Sequence, residues 1–114
     1  VLDYDDDYRT LINISSTSYN VVGLPEFGIK LLDDGICRLP EDSIFYYNLA
    51  AIYALYGMED KVLSNLEKAY RFKAKNMNLA CLPDPFQDSA FQTFLMNSDN
   101  YQEVSNLVGW FAIP

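Results

Sequence analysis

The run LDYDDDYRT near the start of the chain is the first place where residue types and spacing could do chemistry. Asp3, Asp5 and Asp7 have the alternate spacing of an EF-hand calcium loop. The loop needs a glycine at its sixth place and a bidentate Glu at its twelfth, and here those places hold Tyr8 and Ile14. Calcium is therefore rejected, and the acids are expected to precede the first helix and favour its N-terminal dipole. The chain has no histidine, so Ser-His-Asp and Cys-His arrangements are ruled out. Cys37 and Cys81 stand far apart in the chain, with no CxxC pair. The common zinc sets are thus missing, and buried free thiols are expected, with a disulfide only in an oxidising compartment. The five glycines are scattered rather than gathered into a phosphate loop. The carboxylate pairs Asp33/Asp34 and Glu41/Asp42 read as solvated helix ends. Asn13-Ile14-Ser15 spells a glycosylation sequon but falls inside an expected helix. The reading is a non-enzyme with no cofactor and no metal.

Charge narrows the partners. Eight basic against sixteen acidic side chains give a formal charge of −8, a surface that repels phosphate backbones, so no nucleic acid is expected. Lys68, Arg71, Lys73 and Lys75 cluster where cations suit a helix C-terminus; a local anionic docking patch is the alternative. No apolar run reaches the ~18 residues needed to span a bilayer, so no membrane is expected. The chain begins at Val1 rather than Met, which is compatible with a trimmed or processed start, and the compartment stays open with an intracellular one slightly favoured. Half of the 114 residues are hydrophobic and 15% are aromatic, enough for a packed core in a single domain.

The elements that would position any site are helices. YYNLAAIYALYG, residues 46–57, carries no charge, and Tyr46, Leu49, Ala50 and Tyr53 follow one helical face. Gly57 suits a left-handed helix stop, and a new helix is expected near Glu59 and Asp60, with Val62, Leu63, Leu66, Ala69 and Tyr70 as its apolar face. The pattern recurs when Arg9–Asp42 is laid over Ser43–Asn76. Ser16 then meets Ala50, Tyr19 meets Tyr53, Gly23 meets Gly57, Ile29 meets Leu63, Leu32 meets Leu66 and Gly35 meets Ala69. Ile12, Ser16 and Tyr19 mark the first face, Pro25 opens the next helix, and Pro40 closes the unit. Small Ser16, Ala50, Gly28, Gly35 and Ala69 would let paired helices approach closely.

This order of residues resembles the tetratricopeptide repeat (TPR) family. The second unit carries the resemblance through Tyr46, Leu49, Ala50, Tyr53, Leu66 and Ala69, departing at Val62 and Ala74. The first carries it through Ser16, Tyr19, Gly23, Gly28, Leu32, Gly35 and Pro40, departing at Ile12 and Ser15. The resemblance implies repeats at 9–42 and 43–76 and a capping segment at 77–114. The expected fold is all-α, an α-α superhelix of helical hairpins with capping helices, six helices in total. In the tail, Pro83 and Pro85 break the period. Helical spacing resumes at Ala90, Phe91, Phe94 and Leu95, and again at Tyr101, Val104, Leu107, Val108 and Phe111, with Asp99 and Gln102 as a capping box. Trp110 is expected to help cover the last hairpin; the alternative is that Trp110 and Phe111 are exposed and dock another subunit or domain.

The implied function is protein recognition in a concave groove lined by the first helix of each pair. Residues not needed for packing there are Thr10, Asn13, Thr17 and Asn20 in the first unit and Tyr47, Asn48, Ala51 and Leu55 in the second. The expected partner is a peptide or helix of another protein, with homo-oligomers conceivable through the C-terminal segment. Only Asn48 matches the Lys, Arg and Asn pattern that captures chaperone carboxylates in this family, so that ligand is discounted. The other reading is a structural or regulatory segment of a larger chain packing in cis against another domain.

Overall fold

The computed structural model describes residues 4–75 and 82–112, with side chains over 7–75 and 82–111. The fold is all-α. Six helices run in order: α1 (Tyr4–Val21), α2 (Pro25–Arg38), α3 (Ser43–Leu55), α4 (Val62–Lys75), α5 (Gln92–Leu95) and α6 (Ser98–Ala112). Short 3-10 turns at Glu59–Lys61 and Ser89–Phe91 lead into α4 and α5, and no strand occurs among the described residues. The chain divides into two compact units, Val1–Glu41 and Asp42–Pro114, a break just ahead of the repeat boundary expected from the sequence.

The first unit is the hairpin of α1 and α2. α1 starts at Tyr4, so Asp5, Asp6 and Asp7 belong to its first turn rather than to a leading loop. Ile12 and Ser16 are buried on α1, and Gly28, Leu32 and Gly35 on α2. A hydroxyl taken from water needs a partner; Ser16 Oγ donates to the Asn13 carbonyl at 3.1 Å. Pro25 opens α2, where the missing N–H costs no helical bond.

The second unit is built around α3. A helix apolar on every side belongs in a core, and Phe45, Tyr46, Tyr47, Leu49, Ala50, Ile52, Tyr53 and Ala54 are all buried. The Asp42 side chain caps α3 by accepting from the Ile44 N–H at 3.1 Å. α4 packs Val62, Leu66 and Ala69 inward. The turn Ser89–Phe91 and α5 lie on α3, while α6 lies on α4 and α5. Phe91, Phe94 and Val104 are wholly or almost wholly buried there. α6 is capped by Asn97, whose Oδ1 accepts from the N–H groups of Asp99 (2.9 Å) and Asn100 (3.1 Å), so Asp99 is not the cap.

The two hairpin turns match bond for bond in the register found in the sequence. Leu24 N–H donates to the Tyr19 carbonyl at 2.8 Å and Met58 N–H to the Tyr53 carbonyl at 2.9 Å. Gly23 bonds Asn20 at 3.2 Å, and Gly57 bonds Ala54 at 3.5 Å. Phe27 and Lys61 then bond back to Leu24 and Met58 at 3.2 and 3.1 Å. This pairing is the Schellman stop, which needs a left-handed residue after the helix; Gly23 has φ 82° and Gly57 φ 77°. No neighbouring atom would meet a Cβ at either position. Gly57→Ala is therefore expected to lose about 1–2 kcal/mol through the backbone alone, and Gly23→Ala a similar amount. Urea unfolding of each variant tests this; unchanged midpoints would mean that the turns do not stop the helices.

The small and leucine positions where the helices meet follow the same register, whereas the first helix is more exposed in the first unit than in the second. Ser16/Ala50, Leu32/Leu66 and Gly35/Ala69 are buried in both units. Tyr19 packs against Phe27 in a tilted arrangement with ring centres 5.4 Å apart, and Tyr53 lies under Lys61 Nζ at 5.2 Å. Phe27 and Lys61 hold equivalent places in the two units, so each ring meets the same position of its own hairpin. Tyr19 stays 38% exposed, whereas Tyr53 is 7% exposed.

Candidate functional site

On α1, Thr10, Asn13, Thr17 and Asn20 recur at i, i+3, i+7 and i+10, which sets them along one stripe. Thr10 and Thr17 are exposed, and Asn13 and Asn20 half-buried. On α3, Asn48, Ala51 and Leu55 form a second stripe by the same spacing, half-buried at the first two and exposed at Leu55. Both stripes are uncharged, with hydroxyl and amide groups beside apolar surface. That chemistry suits backbone hydrogen bonding and apolar contact with a peptide.

Tyr47 does not belong to this surface. It is 1% exposed, its ring meets Phe91 at 5.5 Å, and its hydroxyl donates to Asp88 Oδ2 at 2.8 Å. Asp88 Oδ1 accepts from the Ala90 N–H at 3.0 Å, so the carboxylate caps the turn into α5 as it holds the tyrosine. Burial first, and then the bond to Asp88, push the Tyr47 phenol well above its ordinary pKa. It remains a proton donor at any physiological pH. Beside it, burial and the charge of Asp84 push Tyr70 up to about 12. The Tyr70 ring stacks on Phe111 at 6.0 Å. These groups pin the C-terminal segment to α3 and α4. Un-ionised phenols held in this way offer structure and no nucleophile.

Three further expectations change or find their place. Trp110 is 73% exposed and takes no part in the cover, which Phe91, Phe94 and Val104 supply. Cys37 is an exposed free thiol on α2, rather than a buried one; Cys81 lies outside the described residues. Lys73 and Lys75 stand in the last turn of α4, where cations suit the helix dipole. Arg71 pairs with Glu67, and Lys68 Nζ lies 5.8 Å from the Tyr46 ring. Among the described residues no cluster of His, Cys, Asp or Glu is placed to hold a metal ion, and no helix is long and apolar enough to cross a membrane.

One surface was missed by the groove reading. Leu11, Ile14, Tyr19, Val21 and Val22 are all exposed on α1 and just beyond its end, and Ile14, Ser15, Ser18, Tyr19 and Val22 line a shallow depression of about 330 Å³. The signal was present in the sequence: residues 10–22 contain no charge at all. A solvated helix of that length ordinarily carries charges on its outer side.

The class defined by these observations is an all-α protein with two helical hairpins in a common register and a C-terminal helical cover on the second. No family model, curated protein or solved structure matches the chain.

Proposed function

We propose that the chain is a non-catalytic protein-interaction module of the tetratricopeptide repeat kind, which binds a peptide or helix of another protein along the first helix of each hairpin. The observation that carries this reading is the repeated turn: two glycine-stopped hairpins whose hydrogen bonds coincide at the period of about 34 residues that marks that family. The recognition residues are Thr10, Asn13, Thr17 and Asn20 on α1 and Asn48, Ala51 and Leu55 on α3. In this class of scaffold, packing residues fix the helices and other positions recognise a partner.

A second reading has one observation in its favour. The exposed Trp110 suits a structural or regulatory segment that packs in cis against another domain of a longer chain.

Affinity capture with the wild-type chain, compared with Thr17→Lys, Leu55→Lys and Trp110→Ala, tests both. All three side chains are exposed, so the fold should persist. The module reading expects bound proteins to be lost with the two lysine variants and kept with Trp110→Ala. The opposite pattern would transfer the interaction to the C-terminal helix. Capture unaffected by any of the three would sink both surfaces.

A further inference from the structure

The C-terminal half of α1 is helical against its own preferences. Every residue from Ile12 to Val21 comes from the weaker part of the helix-forming scale, and the stretch holds no Ala, Leu, Met, Gln, Glu, Lys or Arg. Ile12, Ile14, Thr17, Val21 and Val22 are β-branched and Tyr19 is aromatic, the types that favour strands. α4, by contrast, is built on strong helix formers such as Leu66, Glu67, Lys68 and Ala69. Side chains also compete for the backbone of α1. Ser18 Oγ donates to the Ile14 carbonyl at 2.9 Å and Ser16 Oγ to the Asn13 carbonyl at 3.1 Å, bonds that slightly weaken a helix. No cation stands in the last turn to meet the dipole. Burial compensates little. Within residues 12–22, Ile12 is the one large apolar side chain that is buried, while Ile14, Tyr19, Val21 and Val22 are exposed. Packing of a buried face supplies most helical stability in proteins, and a stretch with little packing and poor propensity opens before the rest.

The chemistry of the opened stretch selects what it does next. Residues 10–25 carry no charge, and residues 12–22 contain neither glycine nor proline. When copies of one segment stack in register as strands, each side chain lies over its own copy, so a charge would face itself while Asn and Tyr form ladders. Here no charge intervenes, and Asn13, Tyr19 and Asn20 supply the ladders. We propose that residues 12–22 are a conformational switch: helical in the single chain, they open ahead of α3 and α4 and pair as β-strands with the same residues of further copies of this chain. The uncharged stretch 43–58 is the rival for that pairing. α3, however, buries Phe45, Tyr46, Tyr47, Leu49, Ile52 and Tyr53, so it opens only with the core of the second unit. The formal charge of −8 keeps copies apart at low salt, which makes the pairing a high-salt event. The proposal stands on α1 alone and does not depend on the groove reading.

Hydrogen exchange on the full chain under native conditions is the first test. Amides of residues 14–21 should be protected at least about tenfold less than those of α3 and α4. The second test is incubation at ~0.5 M salt and at ~0.02 M salt, followed by dye binding and fibre diffraction. High salt should give assemblies with the cross-β repeat of about 4.7 Å and an exchange-protected core that includes residues 12–22; low salt should give few or none. Ile14→Glu/Ser18→Lys sets a favourable i, i+4 pair of strong helix formers on two exposed positions and puts a charge into each ladder. Protection in α1 should rise about five- to tenfold in this variant, and the lag before assembly should lengthen about tenfold. A retained helical circular dichroism spectrum separates lost pairing from lost fold. The proposal is overturned by equal protection of α1 and α4, or by a chain that stays monomeric at high salt. It is equally overturned by a fibre core at 43–58 that leaves out 12–22, or by assembly of the double variant at the wild-type rate.

Discussion

Phe91→Ala should cost about 3–5 kcal/mol. The ring has no exposure and lies against Tyr47, which is itself almost fully buried. Removing it takes away the transfer energy of a whole phenyl group and leaves a void between α3 and the turn into α5. The void has little means of closing. Tyr47 is held by its hydroxyl on Asp88, and Asp88 is held by the Ala90 N–H, so the ring cannot swing across without losing the bond. A domain of this size has a net stability of only about 5–15 kcal/mol. The variant should therefore melt far below the wild type, with loss of the near-ultraviolet aromatic signal ahead of the far-ultraviolet helical signal. Thermal scans followed in both regions check this. A shift worth less than about 1 kcal/mol would mean that the C-terminal segment is an appendage and does not complete the core of the second unit.

How much of this could be read from the sequence depends on how local each cause is. The hairpins were legible because their determinants act within a few residues. A glycine alone accepts positive φ cheaply, and Gly23 and Gly57 mark both stops. Small residues at Ser16, Ala50, Gly35 and Ala69 mark where helices meet, and all are buried. The cap of α6 is local too, but the choice between Asn97 and Asp99 turns on the chain direction entering the helix, which spacing does not encode. Tyr47 was harder. Taken by spacing it lies off the packing stripe of α3, and what covers it comes from Asp88 and Phe91, far along the chain. A signal existed even so: α3 carries no charged residue, and a helix without charges is covered over most of its surface. The same signal, applied to residues 10–22, marks the exposed face of α1. There no described segment of the first unit supplies the cover, and the apolar residues stay open.

Truncating Leu32 and Leu66 to alanine asks whether the register is one of energies as well as of geometry. The two leucines hold equivalent places in the two hairpins, and both have zero exposure. Each is buried in a hairpin that also buries a small residue on the facing helix, Ser16 in the first and Ala50 in the second. A fully buried leucine reduced to alanine loses about 2–5 kcal/mol, and the value within that range reports how far the surroundings can collapse into the space. The collapse should differ. Across from Leu66 lies α3, held on its other sides by the turn into α5 and by α5 itself, so its side chains cannot advance and the loss should approach the upper end. Across from Leu32 lies α1, whose far side carries exposed Leu11, Ile14 and Val22, so that helix is less confined than α3 and can settle inward by a fraction of an ångström. Leu32→Ala should therefore cost less than Leu66→Ala by about 1 kcal/mol or more, although the leucines are equally buried. Hydrogen exchange in α1 and in α3 reads the two losses separately. Equal penalties would mean that α1 is as firmly held on its outer face as α3, and that a cover for Leu11 and Ile14 is already in place.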